Sequence, residues 1–126
     1  MSDESDLQLF AGACRHFDEG NYFEAHELWE DLWNEASGSR HAYLQCLIQV
    51  AVALHHASRE NWAGTRKLLA SSLSYLEKGR QGGDEVDLGL LKDRILDFEI
   101  ALQKRLKGGN SSEEELPFFS LPRRKV

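Results

Sequence analysis

Apolar side chains recur along most of the chain at the three- and four-residue spacing that marks one face of an α-helix. No segment of useful length shows the alternating pattern of a half-buried β-strand. The sequence therefore predicts an all-α fold, a single compact bundle of about five helices. The expected helices span about residues 5–19, 22–36, 40–59, 62–78 and 85–107.

Glycine and asparagine separate the expected helices. Gly20 suits the left-handed backbone that ends many helices, and Asn21 and Asn61 are expected to cap the second and fourth helices. Gly79 ends the fourth, and a glycine-rich connection with a cap at Asp84 leads to the fifth. The inner faces expected for the first and last helices comprise Leu7, Phe10, Ala11, Cys14 and Phe17, and Leu88, Leu91, Ile95, Phe98, Leu102 and Leu106.

The third helix is expected to be the centre of the bundle. Between Arg40 and Arg59 the sequence contains no Lys, Arg, Asp or Glu, and apolar residues point in nearly every direction. Its length reaches the lower limit for a membrane span, but its glutamines and histidines make that interpretation poor. A helix that is apolar all round in a soluble protein is a buried one.

Composition bounds the class of protein. The chain has 126 residues, of which 41% are hydrophobic and 29% charged, as expected for one globular domain. The formal charge of -6 argues against nucleic-acid binding, which needs a basic face, and we expect no membrane partner. Cys14 and Cys46 are expected to be reduced core thiols. The N-terminus lacks the apolar core of a signal peptide, which favours a cytoplasmic location.

The second helix carries two unusual polar residues. A helical period gathers Trp29 and Trp33 onto one side of this helix, and His26 and Glu30 fall within the same arc. Glu is rarely buried without a partner, because a desolvated carboxylate is expensive. We therefore expect a cation, a metal, a hydrogen-bonding network or a ligand to meet this pair.

The third helix offers the partners. His41, Gln45, Gln49 and His56 fall within a narrow stripe, and isolated polar residues on a central helix need hydrogen bonds. Short loops make neighbouring helices antiparallel, so this stripe is expected to face the second helix. The predicted pocket contains His26, Glu30, Gln45, Gln49 and one of His55 or His56, of which His56 is preferred, with Trp29 and Trp33 as walls.

Three functions fit such a pocket. The first is a metal- or small-ligand-binding module, with His26 and Glu30 holding a divalent metal such as zinc, manganese or iron. The second is a metal-dependent hydrolase; His26-Glu27 begins like the helical zinc-peptidase motif, but Glu30 stands where the second histidine is required. The third is a structural or partner-binding helical protein in which the polar cluster is only a core network.

The segment from Phe17 to Trp33 resembles the signature of the domain of unknown function 309 family. That signature is His, three residues, Glu, two residues, then Trp or Tyr, and His26, Glu30 and Trp33 match it. Residues 45–56 and 60–64 are similar to two further blocks of the family. The resemblance implies a small prokaryotic-type all-α bundle, for which metal binding by the His/Glu motif has been suggested. It implies no established reaction.

The last residues are expected to differ from the bundle. We divide the chain into a helical domain, residues 1–112, and a C-terminal tail, residues 113–126, in which two prolines exclude a long helix. Leu116, Phe118, Phe119 and Leu121 are expected to pack as an extended segment on the bundle or on a neighbouring subunit of a homo-oligomer. Arg123, Arg124 and Lys125 would then meet the acidic face of the second helix, formed by Glu24, Glu27, Asp31 and Glu35.

Overall fold

The computed structural model describes residues 4–108 and 115–124, and these residues confirm the all-α fold. They form five α-helices: α1 (Glu4–Asp18), α2 (Tyr22–Glu35), α3 (Gly38–Ser58), α4 (Trp62–Lys78) and α5 (Leu88–Lys107). The expected number of helices is therefore correct. The bounds of α4 are the expected ones, and the other boundaries differ from the expected ones by at most three residues, as is usual at helix ends.

Packing is closest between helices that follow one another in the chain, from α1 to α4. Short connections make each pair antiparallel. The central position of α3 is confirmed, because its buried residues lie on more than one side of the helix. These residues are Tyr43, Leu44, Cys46, Leu47, Ile48, Val50, Ala51, Ala53, Leu54 and Ala57.

The α1–α2 and α3–α4 turns have the same backbone structure. The amide of Asn21 donates to the carbonyl of His16 at 2.8 Å, and the amide of Asn61 donates to that of His56 at 2.9 Å. The preceding residue has a positive φ in both turns, 83° at Gly20 and 59° at Glu60. Each turn satisfies the last carbonyls of one helix before the next helix begins.

The two asparagines nevertheless behave differently. Asn61 caps α4 as expected, since its Oδ1 accepts a hydrogen bond from the amide of Gly64 at 3.1 Å. The expectation that Asn21 caps α2 is wrong, because its side chain makes no capping bond. Instead its Nδ2 lies 3.4 Å from Nδ1 of His16. The turn at Asn21 is therefore held by the backbone rather than by a cap.

The start of α5 differs from the expected one. The helix begins at Leu88, not Glu85, and its cap is Asp87 rather than Asp84, with the Asp87 carboxylate accepting from the amide of Leu90 at 3.0 Å. Val86 is fully buried, and its amide donates to the hydroxyl of Tyr43 at 3.0 Å. The segment before α5 is therefore an ordered part of the core.

The C-terminal segment lies in extended form on the bundle. The amide of Asp87 donates to the carbonyl of Pro122 at 2.9 Å, and the amide of Arg124 donates to that of Glu85 at 3.1 Å. The packing is apolar as well: Leu116 and Leu121 are buried. This is the extended packing expected from the sequence.

The prediction that the basic residues of this segment pair with the acidic face of α2 is wrong for Arg123. Arg123 does not meet the acidic face of α2; its guanidinium lies 2.9 Å from the carboxylate of Asp18 at the end of α1. The other oxygen of Asp18 accepts from the amide of Leu121 at 2.8 Å. Asp18 is a better partner for Arg123 than the α2 carboxylates, because its carboxylate accepts a hydrogen bond from a backbone amide and pairs with the guanidinium at the same time. Lys125 lies outside the described residues.

Three expected core residues are exposed: Leu7, Ala11 and Leu106. Leu7 has 62% of its surface exposed and Leu106 has 42%. Leu7 and Leu106 each lie in a terminal turn of a helix, where few neighbouring helices are available to cover a side chain, and Ala11 lies at the edge of the buried stripe of α1. The remaining inner-face residues of α5 that are fully buried are Leu91, Ile95, Phe98 and Leu102.

Both cysteines are free and buried, as expected. Burial raises the pKa of the Cys14 thiol to about 11 and that of Cys46 to about 12. Both are therefore protonated and unreactive at neutral pH. None of the helices in the described part of the chain has the length and apolar character needed to cross a bilayer.

Candidate functional site

His26 lies at the boundary between α2 and α3 and is half-buried. Its Nδ1 is 2.6 Å from the carbonyl oxygen of Phe23, one turn earlier, and its ring packs on Phe23 with the ring centres 4.7 Å apart. A protonated Nδ1 that donates to this carbonyl leaves Nε2 as the acceptor nitrogen. The local helix geometry thus orients the imidazole and its free lone pair.

The expectation that Glu30 is buried is wrong, because this residue is exposed. Neighbouring helices cover α2 over a limited arc, with α1 near Leu28 and α3 on the side of Trp33. Glu30 lies beyond the edge that α3 covers, and even Phe23, whose ring contacts His55 of α3, is 47% exposed. Glu30 remains one turn from His26 on the helix surface, but water solvates its carboxylate.

The contacts of α3 with α2 run along one row of its residues. The ring of His41 stacks on Trp33 with 4.3 Å between ring centres, and the ring of His55 packs on Phe23 at 5.6 Å. Helical geometry places Gln45 and Val52 on the row that joins these two histidines. His55 is therefore the histidine of the 55–56 pair that faces α2.

The preference for His56 as a pocket residue is wrong for the same reason. Nδ1 of His56 lies 3.2 Å from Nδ2 of Asn61, in the α3–α4 turn. A Cβ atom added to Gly64 would lie only 2.9 Å from the His56 ring, so this ring packs directly on the first turn of α4. Gln49 shares the side of α3 on which His56 lies, one position further round than the row that meets α2.

Three buried polar atoms of α2 and α3 find no hydrogen-bond partner within the described residues. They are two indole nitrogens, Nε1 of Trp29 and Nε1 of Trp33, and the amide oxygen of Gln49. Trp29 is fully buried against Phe10 and Phe17, whereas Trp33 and Gln49 are half-buried. An unsatisfied buried polar group costs about 1–3 kcal/mol, so each of these atoms favours an added hydrogen-bonding group.

A cleft of about 470 Å³ opens at one end of the boundary between α2 and α3. Phe23, His55 and Arg59 line it, together with the turn at residues 20–22 and Glu24. Burial lowers the pKa of His55, and the nearby positive charges of Arg59 and His56 lower it further. Sequence reasoning missed Phe23 and Arg59; the available signal was an aromatic residue on the polar side of an amphipathic helix.

The donors around His26 do not form a complete protein metal site. Within the described ranges, no group of three or more His, Cys, Asp or Glu side chains is arranged to hold a metal ion. Structural and catalytic zinc sites normally use three or four protein ligands. His26 and the exposed Glu30 could supply two donors at most from α2.

We use the term α2–α3 face for His26, Trp33, Gln45 and His55, together with Gln49 at its edge. The face combines imidazole rings, amides and indole on an uncharged part of α3, and it is partly open to solvent. Of the predicted site residues, it includes four of the seven; Trp29 lies beneath it, Glu30 beside it, and His56 at the next turn.

The fold and this face define a small all-α protein of paired helical hairpins with a polar face on its central helix. Residues 10–68 match the family described as Domain of unknown function (DUF309). The chain is 35% identical over 88 residues to the uncharacterized protein YpuF of Bacillus subtilis (strain 168). The alignment covers 69% of this chain and 49% of YpuF, so the chain spans about half the length of that relative. No solved structure matches the chain.

Proposed function

We propose that the protein is a binding module that takes a small polar ligand at the α2–α3 face. The observation that carries this proposal is the pair of unsatisfied atoms, Trp33 Nε1 and Gln49 Oε1, on two half-buried residues of adjoining helices. One atom is a hydrogen-bond donor and the other an acceptor. A ligand that both accepts and donates would relieve the cost of burying them.

The surrounding side chains define the chemistry of this ligand. The α3 part of the face has no charged residue, which disfavours a strongly charged ligand. The Trp33–His41 and Phe23–His55 ring pairs offer flat apolar surfaces at its two ends. An amide-bearing or heterocyclic molecule with a planar part fits these groups best.

A divalent metal is the second candidate, and one contact favours it. The bond between His26 Nδ1 and the carbonyl of Phe23 is of the kind that orients metal-binding imidazoles and leaves Nε2 free. Glu30 lies one turn away and could share the ion. We do not propose a hydrolase, because the described residues supply no third protein ligand beside this pair.

We also propose a cytoplasmic location. Two free, buried cysteines are compatible with a reducing compartment. Secretion of the intact chain into a culture medium would contradict it.

The ligand proposal can be tested by nuclear magnetic resonance with a library of small amides and heterocycles. A ligand of the face should shift the indole N–H signal of Trp33 and the side-chain amide of Gln49, while the signal of Trp62 on α4 stays unchanged. Gln49→Met should weaken binding at least tenfold. Shifts that spread equally to Trp62, or binding that Gln49→Met leaves intact, would contradict the proposal.

The metal candidate needs a separate measurement on protein purified without an affinity tag. Elemental analysis and zinc titration should be compared for the parent, His26→Ala and the matched control His16→Ala. His16 lies on α1, beside Asn21, and is outside the face. A stoichiometric metal lost only in His26→Ala supports the candidate, and a site unaffected by His26→Ala excludes it.

A further inference from the structure

The solvent side of α5 carries two large apolar residues. Leu96 is 39% exposed and Ile100 is 53% exposed, and they are one helical turn apart on the same side. The side of α5 that packs in the core is the opposite one, formed by Leu91, Ile95, Phe98 and Leu102. The exposed pair therefore forms an apolar patch at the middle of the helix.

Charges of opposite sign flank this patch. The same surface of α5 carries Asp93 on the N-terminal side of the patch and Asp97 beside it, and it carries Lys104 and Lys107 on the C-terminal side. All four are exposed. Within the described part of the chain, none of their side chains takes part in a hydrogen bond or ion pair that we identify.

Helix-internal pairing and the helix dipole explain this order of charges only in part: Asp97 has Arg94 three residues before it, but Asp93 has no opposite charge one turn away. Asp93 has Asp97 one turn ahead, a like-charge pair that is slightly destabilising in an isolated helix. The dipole acts within the first and last turns, and both aspartates lie beyond the first turn of α5, which begins at Leu88. Only the two lysines lie where the dipole would favour them.

We propose that this surface of α5 binds a second copy of the chain in antiparallel orientation. The charge on this surface changes from acidic to basic along the helix. When two copies pair in antiparallel orientation, the acidic end of one therefore lies against the basic end of the other. In such a pair, Leu96 and Ile100 meet the same residues of the other copy. Asp93 and Asp97 of each copy then face Lys104 and Lys107 of its partner, as a two-fold symmetric interface requires. This interface goes beyond the proposed ligand site, which lies on α2 and α3.

Sedimentation equilibrium of the full chain, from low micromolar to millimolar concentration, tests the patch. The parent should form dimers, and Ile100→Asp should raise the dissociation constant at least tenfold. Leu7→Asp is the matched control, since Leu7 is an even more exposed leucine on α1. Circular dichroism verifies that both variants are folded. A monomeric parent, or an equal effect of both variants, overturns the proposal.

Charge reversal tests whether these four charges pair across the interface. One variant carries Asp93→Lys with Asp97→Lys, and the other carries Lys104→Asp with Lys107→Asp. Each alone places like charges together and should be monomeric at low salt, whereas an equimolar mixture should form a heterodimer that high salt weakens. If the mixture remains monomeric, or if each variant dimerises alone, the antiparallel interface is wrong.

Discussion

Arg40 and Glu85 are joined by two parallel hydrogen bonds, each 2.9 Å long, although 45 residues separate them in the chain. The Arg40 guanidinium also donates to the carbonyl of Gly82 at 3.1 Å. It lies 5.4 Å from the ring centre of Phe10 and 5.2 Å from that of Tyr43. This arrangement fastens the first turn of α3 to the segment that leads into α5.

Replacing Arg40 with Lys should therefore lower the free energy of unfolding. Lysine cannot keep the paired geometry or the stacking on both rings, and we expect a loss of about 1–3 kcal/mol in urea unfolding. Arg80→Lys is a matched control, because Arg80 makes the same two-bond contact with Glu77 at an exposed position. Its loss should be clearly smaller, because solvent-exposed ion pairs contribute little to stability. Equal losses would mean that partial burial adds nothing to the Arg40 pair.

The same pair predicts a dependence of stability on pH. Burial raises the pKa of Glu85, but hydrogen bonds from Arg40 and its charge outweigh burial and hold the pKa below its ordinary value of 4.5. The stabilisation is thus complete above the ordinary value and is lost as the pH falls through the lower, folded value. In the Glu85→Gln variant, the urea concentration at the midpoint of unfolding should therefore depend less on pH in this acid range than it does in the parent. A variant whose curve runs parallel to the parent's would contradict this.

The two equivalent turns allow a reciprocal prediction about backbone conformation. A side chain in left-handed backbone costs about 1–2 kcal/mol, so Glu60→Gly should stabilise the protein by about 0.5–1 kcal/mol after the entropy cost of glycine. Gly20→Ala should destabilise it by about 1 kcal/mol. An added Cβ at Gly20 would meet no atom within 4 Å, so the effect of Gly20→Ala reports the backbone conformation and not a steric clash. Thermal unfolding that gives both changes the same sign would refute this account.

The unsatisfied oxygen of Gln49 predicts that function and stability oppose each other at this position. Gln49→Met removes a buried acceptor and should raise the free energy of unfolding by about 1 kcal/mol while it weakens ligand binding. Gln45→Met is the control: Gln45 is half-buried without a buried unpaired atom, so we expect a change within about 0.5 kcal/mol. A destabilised Gln49→Met protein would show that this oxygen has a partner in solution.

The packed tail predicts a contribution to stability from the C-terminus. Removing residues 113–126 should lower the melting temperature, because it exposes the apolar surface under Leu116 and Leu121. Asp18→Ala should have a smaller effect, about 1–2 kcal/mol, through the Leu121 amide and the Arg123 ion pair. The neighbouring exposed Glu19→Ala serves as control. An Asp18→Ala protein with unchanged stability and unchanged hydrogen exchange at Leu121 would show that the tail is not held there.

The sequence was sufficient for the helices, because apolar spacing and turn residues are local signals. It was not sufficient for Glu30, since helical phase gives the direction of a side chain but not the width of the arc that neighbouring helices cover. Glu30→Ala should accordingly change stability by no more than about 0.5 kcal/mol, rather than by the larger amount a buried carboxylate would imply. The choice between His55 and His56 failed similarly, because it depends on the rotation of α3 between α2 and α4.

Long-range pairs were beyond the sequence altogether. Nothing in the local pattern around Arg40 points to Glu85, and the local pattern favoured Asp84 as the cap of α5 although Asp87 is the cap in the structure. Residues 115–124 determine where α5 begins, because their backbone pairs beside Val86 and holds Glu85 and Val86 outside the helix. Such a constraint between distant segments leaves no periodic trace in either one.

The contact between Asp18 and Leu121 spans 103 positions of the chain. During synthesis, the four hairpin helices can pair as soon as they emerge, because their contacts are local. The end of α1, however, finds its partner only after residues 115–124 have left the ribosome. We therefore expect a nascent chain that is stalled with residues 115–124 still in the exit tunnel to have helices but a protease-sensitive α1. The emergence of this segment would then be the event that secures α1, and equal protease resistance before and after it emerges would contradict this order.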